Sequence, residues 1–279
     1  MSHVRNLFQK TVGQGYDRSS APVGLAPEEN IPAVAKAFDL KGTPVDEVHI
    51  QPASRIVFHT APHSPAADRF RYLRMRLRER WNVGKLKTLL ITSPLAHDGK
   101  STVTLNLATA LSEGGTRKVL VMEADLHRST LIQHLGLKVW PGLTDCLDAG
   151  LNPLSAIRRL EPLGWYLLPA GGPRSNPTEL LQSAALSGVT QTLSPHFDWI
   201  LIDAPPVIPL TDALSLRPQA DASLLVVRAG RTPKEAIEDA VALLGKQHIM
   251  GMVLNGVEGL DRRYAKYGYH GGKNVESPA

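Results

Sequence analysis

The sequence predicts an α/β fold, a mainly parallel sheet with helices on both faces, preceded by a mostly flexible N-terminal arm. Three observations carry this. From residue 88 onward, short runs that are apolar on both faces alternate with helical patterns, as buried parallel strands and their crossovers require. Before residue 66, prolines recur (Pro22, Pro27, Pro32, Pro44, Pro52, Pro62, Pro65) and apolar periodicity is weak, which reads as an arm. Apolar residues make up 43% of the 279 residues, enough for a sizeable core and too many for wholesale disorder. The expected division is an arm over 1–65, a folded domain over 66–257 and a mobile tail over 258–279.

Composition excludes several classes. A net charge of +5 is too small to imply nucleic acid and fits a solvated surface. The lone cysteine, Cys146, has no partner for a disulfide, which suits a reducing compartment. No apolar run approaches the roughly 18 residues that span a bilayer. The opening MSHVRNLFQK lacks the apolar core of a signal peptide. A cytoplasmic protein is the expectation.

Taken in order, the arm offers only short elements, at Val48-His49-Ile50 or Ile56-Val57-Phe58. Over 67–81, Phe70, Leu73, Leu77 and Trp81 recur at steps of three and four, one apolar stripe on an arginine-rich helix. Strands are expected over 88–92, 118–122, 165–168, 199–202, 223–227 and 250–254. Helices are expected between them, including 101–111, 178–182 and 234–244. In such folds ligands sit at the carboxyl ends of the strands.

The first of these strands, KTLLITS, runs through a loop into a helix, with Gly99-Lys100-Ser101 at the junction. Backbone N–H groups at a helix start face an anion, and the helix dipole favours it. The loop from His97 through Asp98, Gly99, Lys100, Ser101 and Thr102 is therefore the candidate phosphate cradle. Lys100 supplies a point charge, and the Ser101 hydroxyl is a candidate Mg²⁺ ligand. The strict G-x-x-x-x-G-K-[ST] pattern fails at its first position, Pro94. Two later strands end in carboxylates, Glu123 with Asp125, and Asp203. A carboxylate closing a buried apolar strand is costly unless paired or on a metal, and Mg²⁺ takes few protein oxygens. Strand-end capping remains an alternative for Asp198 and Asp212.

These blocks together resemble the bacterial tyrosine kinases of capsule and exopolysaccharide systems, from about residue 55 to the end. SPAADRFRYLRMRL resembles the family's arginine-bearing helix, SPLAHDGKST its Walker A loop and KVLVMEADLHRST its second carboxylate motif. LPAGGPRSNPTELLQS is similar to its NPxELL block. FDWILIDAPPVIPLTDA resembles its Walker B strand, GMVLNGV the strand approaching the base, and RRYAKYGYHGG its tyrosine cluster. The resemblance implies a P-loop NTPase-type sheet and ATP-dependent phosphorylation of tyrosine hydroxyls, with ATP and Mg²⁺ as cofactors.

By position, the resemblance implies that Lys100 binds phosphates, that Ser101, Asp125 and Asp203 serve the metal, and that Asn255 approaches the purine. Glu123 or Asp125 would accept the phenol proton. Tyr264, Tyr267 and Tyr269 would be autophosphorylated. Asp68, Arg71 and Arg74 would contact a neighbouring subunit in a ring, against the alternative of a solvated helix face with an Asp68–Arg71 pair. The implied partners are a separate membrane activator or polysaccharide co-polymerase that recruits the chain to the inner membrane face, a phosphatase and further tyrosine substrates. Three departures stand out. His97 occupies a loop position where a positive φ would favour glycine, Glu123 is longer by a methylene than the family's usual aspartate, and the tyrosine cluster is short. They keep open a nucleotide-binding pseudokinase scaffold. A Min/Par-type positioning ATPase is the other alternative, although Leu95 stands where its extra lysine would be.

Overall fold

The computed structural model describes residues 40–257, apart from 52–53, 85 and 210. Tyr264, Tyr267 and Tyr269, and the first 39 residues, lie outside them. The first described elements fall in the stretch assigned to the arm. Strand β1 (Val45–Glu47) pairs in parallel with β4 (Arg158–Glu161) at one sheet edge, and Arg158 bonds Asp46 at 3.1 Å. Helix α1 (Val57–Thr60) is tied down by Asn106, which accepts from the Val57 N–H and donates to the Arg55 carbonyl. Val48 and Ile56 are buried. The folded unit therefore begins before the expected boundary at 66. Val48-His49-Ile50 and Ile56-Val57-Phe58 are too short to show a period.

Helix α2 (Pro65–Asn82) begins where its sequence says it should. Ser64 accepts from the Ala67 N–H, Pro65 fills the first turn, and Asp68 faces the helix dipole. The expected stripe packs inward, Leu77 fully and Phe70, Leu73 and Trp81 partly. Trp81 stacks on Trp199 with ring centroids 6.3 Å apart.

After α2 come β2 (Thr88–Thr92), α3 (Lys100–Ser112), β3 (Val119–Glu123), α4 (Leu131–His134), α5 (Leu143–Ala149), α6 (Pro153–Ala156), then β4 and β5 (Trp165–Leu168). The chain continues through α7 (Pro177–Gln182), α8 (Ala185–Leu193), β6 (Trp199–Asp203), α9 (Asp212–Leu216), β7 (Ala222–Arg228), α10 (Lys234–Leu244) and β8 (Ile249–Asn255). The eight strands form one sheet ordered β1-β4-β5-β3-β6-β2-β7-β8. All pairs are parallel except β4–β5.

The central strands bury both faces, so their residues divide alternately between two cores. Leu89, Ile91, Val119, Val121 and Leu201 face α2 and α3. Leu90, Leu120, Met122, Ile200 and Ile202 face the α5–α8 layer, with Leu143, Leu180 and Leu193. Helix α3 is buried on nearly all sides, which explains why its sequence shows no stripe. This arrangement places the ends of β2, β6 and β3 side by side, with Ile91 and Glu123 each in register with Asp203.

Candidate nucleotide and phosphoryl-transfer site

The site is the crevice beyond those three strand ends. The chain leaves β2, turns through 93–99 and enters α3 at Lys100. Gly99 makes the entry possible: its φ is 95°, and a Cβ there would strike the Asn255 side chain. His97 adopts φ 67°, the left-handed conformation suspected from its position. It is held between two arginines. Arg128 Nη1 lies 3.3 Å from His97 Nε2, and Arg228 Nη1 donates to the His97 carbonyl at 3.4 Å.

Two polar pairs form the centre. Lys100 Nζ lies 2.8 Å from Asp125 Oδ2, with both side chains nearly buried. Ser101 Oγ donates to Asp203 Oδ2 at 2.8 Å, and Thr104 Oγ1 donates to Asp203 Oδ1 at 3.0 Å. Burial alone would lower the Lys100 pKa, but Asp203 and Asp125 override it and hold the ammonium above its ordinary value. Burial pushes the Asp203 carboxyl up, against the pull of Lys100 and the two hydroxyl donors. Lys100, Ser101, Thr102 and Asp125 open onto a cleft of about 740 Å³, which Arg55, His127, Arg128 and Arg228 also line.

Several expected residues are placed otherwise. Glu123 does not face the cleft as a proton acceptor. Its Oε1 accepts from the N–H groups of Thr130 and Leu131 at 2.7 and 2.8 Å. Its Oε2 accepts from Ser129 Oγ at 3.2 Å and the Ala170 N–H at 3.1 Å. The extra methylene lets the carboxylate reach the start of α4 and the end of β5 together. Burial raises its pKa against these donors. Glu123 is a clamp on the loop after β3. Glu123→Gln should lower the melting free energy by about 1–3 kcal/mol, because an amide NH₂ then faces backbone donors. Thermal denaturation checks this. A variant that melts normally yet no longer phosphorylates would restore Glu123 as proton acceptor.

The Asp98 carboxylate also turns inward, accepting from Thr232 Oγ1 at 2.7 Å and the Leu95 N–H at 3.1 Å. Its side chain pins the loop and does not face a ligand. Asn255 donates to the Asp98 carbonyl at 2.9 Å and accepts from the Gly256 N–H. It braces the loop from behind and is not among the residues lining the cleft. Asp198 accepts from the Lys118 N–H at 2.9 Å, the strand-capping role weighed for it. Asp212, almost fully buried, bonds His127 Nε2 at 2.8 Å. On α2, Asp68 pairs with Arg71 at 2.8 Å, as in the solvated-face alternative. Arg71 also donates to the Pro62 carbonyl, and Arg74 to the Ala110 carbonyl near the end of α3. Sequence reading missed Thr104, Arg128 and Arg228. Thr104 lies one turn beyond Ser101 on the same helix, and Arg228 closes a strand at the ligand-bearing edge, so both left a signal.

A Gly-Lys-Ser loop between a central parallel strand and a buried helix, with carboxylates at the adjacent strand ends, is the arrangement of a P-loop NTPase-type fold. The kinase domain of the Escherichia coli tyrosine kinase ETK superposes with a TM-score of 0.68 at 26% identity, covering 72% of this chain and 80% of that one. The BceF tyrosine kinase domain superposes at 0.65 with 31% identity over 73% and 84%. MinD from Pyrococcus horikoshii, solved with Mg-ADP, shares the fold at 0.52 with 28% identity over 60% and 69%.

No protein-family model matches the chain. Among curated proteins, tyrosine-protein kinase CpsD of Streptococcus pneumoniae serotype 4 is 30% identical over 187 residues, 66% of this chain and 81% of that protein. Tyrosine-protein kinase YwqD of Bacillus subtilis is 29% identical over 221 residues, 78% and 92%. The succinoglycan biosynthesis transport protein ExoP of Rhizobium meliloti is 29% identical over 241 residues, and the match spans only 30% of its length. The chain belongs to the bacterial tyrosine-kinase family.

Proposed function

We propose that the chain is an ATP-dependent protein-tyrosine kinase that phosphorylates Tyr264, Tyr267 and Tyr269 of its own kind in trans, and so regulates exopolysaccharide or capsule synthesis or export. The observation that carries this is the pairing of Lys100 with Asp125 and of Ser101 with the buried Asp203, with Lys100, Ser101 and Asp125 lining one cleft.

The donor set fits a magnesium ion: a serine hydroxyl 2.8 Å from a carboxylate, with Asp125 on the same cleft, all hard oxygen ligands. Ser101 and Asp203 would hold it, with Asp125 ordering the metal. When bound, the ion neutralises charge on the β- and γ-phosphates of ATP. Lys100 holds the outer phosphates, and the loop through His97, Asp98 and Gly99 presents its backbone to them. With Glu123 occupied by four donors, Asp125 would accept the proton of an incoming phenol, whose ordinary pKa is about 10. Asp203→Asn should weaken Mg-ATP binding far more than metal-free ATP binding, because Asp203 acts through the ion. Equal losses in calorimetric titrations would overturn that role.

Among the described residues no helix is long and apolar enough to cross a membrane. A separate membrane activator would bring the chain to the inner face of the membrane, and a phosphatase would reverse the modification. Assembly into a ring through Asp68, Arg71 and Arg74 belongs to the same reading, although each makes a bond within its own chain. Light scattering of Arg71→Ala with Arg74→Ala decides it: an unchanged mass rejects the role.

The saturation of Glu123 favours a second reading, a nucleotide-binding scaffold without transfer activity. A phosphotyrosine immunoblot of the purified chain with ATP, with and without Mg²⁺, separates the two. Signal that requires Mg²⁺ supports the kinase, and no signal despite ATP binding supports the scaffold.

A further inference from the structure

A second cavity of about 380 Å³ adjoins the nucleotide cleft, and Arg55, Thr102 and His134 line both. Its walls are the segments 48–51 and 54–56, the first turns of α3 and the end of α4. Its floor is apolar: Ile56 and Leu135 are each 2% exposed, and Leu105 5%. Its rim is basic, with His49, Arg55 and His134 exposed, and no Asp or Glu is among the lining residues. An apolar floor suits an aromatic or aliphatic side chain. A guanidinium with two imidazoles, with no acid in the lining of this cavity, suits a carboxylate beside it.

We propose that this cavity is the acceptor subsite, which takes the segment flanking the target tyrosine and selects an acidic residue next to it, with Arg55 as the anchor. The inference rests on the kinase reading and adds to it a substrate class. The shared wall lets a tyrosine lie at the phosphate loop while a residue up to three positions away, about 10 Å along an extended chain, lies over Arg55. In the chain's own tyrosine cluster, Tyr264 has Asp261 three positions before it, with Arg262 and Arg263 between them, and Tyr267 and Tyr269 have no acid within three positions. The position also gives the segment before α2 a purpose: β1 and α1 hold 48–51 and 54–56 against α3, and this builds the wall.

The test compares three tyrosine peptides, flanked by glutamates, alanines or lysines, on the full chain and on Arg55→Glu. Phosphorylation kinetics are measured alongside binding of the fluorescently labelled peptides by anisotropy. For the native chain, the glutamate peptide should have a KM and Kd at least roughly tenfold below the lysine peptide. Arg55→Glu should reverse that order. Equal affinities of the native chain for the three peptides would overturn the proposal. So would an Arg55→Glu effect confined to the KM for ATP, which would make the cavity part of the nucleotide site. Anisotropy keeps the two readings apart: acidic-peptide binding without transfer contradicts the kinase and retains the subsite, whereas transfer without acidic preference does the reverse.

Discussion

Lys100→Met is expected to abolish tyrosine phosphorylation, a loss of at least roughly a hundredfold, the scale of removing one preorganised charge that faces the transition state. It should also destabilise the chain. Lys100 Nζ bonds Asp125 at 2.8 Å, with side-chain exposures of 12% and 5%, and Asp203 lies close enough to shift its titration. Removing the ammonium leaves two buried carboxylates without their cation, and breaking such a pair costs on the order of 3–5 kcal/mol. Adding Asp125→Asn removes one orphaned charge and should recover much of the melting temperature without recovering activity. Differential scanning calorimetry beside a kinase assay separates the two effects. Phosphorylation that survives in Lys100→Met would mean that the loop does not hold the phosphates.

Gly99→Ala is the second large effect. Gly99 sits at φ 95°, where an alanine costs about 1–2 kcal/mol. The added methyl would also strike the Asn255 side chain, which bonds the Asp98 carbonyl behind the loop. The loop must move, and its backbone then no longer faces a phosphate. ATP affinity should fall by roughly a hundredfold or more, since the site depends on amide positions held to within about 1 Å. Asn255→Ala on its own removes one hydrogen bond, worth about 0.5–1.5 kcal/mol. Combined with Gly99→Ala it relieves the collision but not the dihedral, so affinity should return only in part. Binding within threefold of the native chain in isothermal titration would show that the loop has another geometry.

The central strands were legible because burial on both faces leaves continuous apolar runs. The expected β2, β5 and α10 match the observed spans residue for residue. β4 was not legible: Arg158–Glu161 carries three charged residues in four, paired along its sides with Asp46 and within itself. β1 was missed for a similar reason, since a three-residue edge strand has no period. At the site, Lys100, Ser101, Asp125 and Asp203 were readable because each stands next to a strand end or helix start. The role of Glu123 was not, because two of its four donors come from the loop before α4 and another from Ala170, 47 residues away. His127 and Asp212, 85 positions apart, meet only through the fold. The inward turn of Asp98 depends likewise on Thr232, 134 positions away.

The central claim is phosphorylation of one chain's tyrosines by another, and a mixing experiment reads it directly. The Lys100→Met chain serves as acceptor, and a chain carrying Tyr→Phe at 264, 267 and 269 serves as donor. After incubation with Mg-ATP, phosphotyrosine is mapped by mass spectrometry on each. The account predicts phosphate on Tyr264, Tyr267 and Tyr269 of the Lys100→Met chain, only when the donor is present. No phosphotyrosine in the mixture while the donor binds ATP, or phosphate confined to Tyr16, Tyr72 or Tyr166, would contradict it.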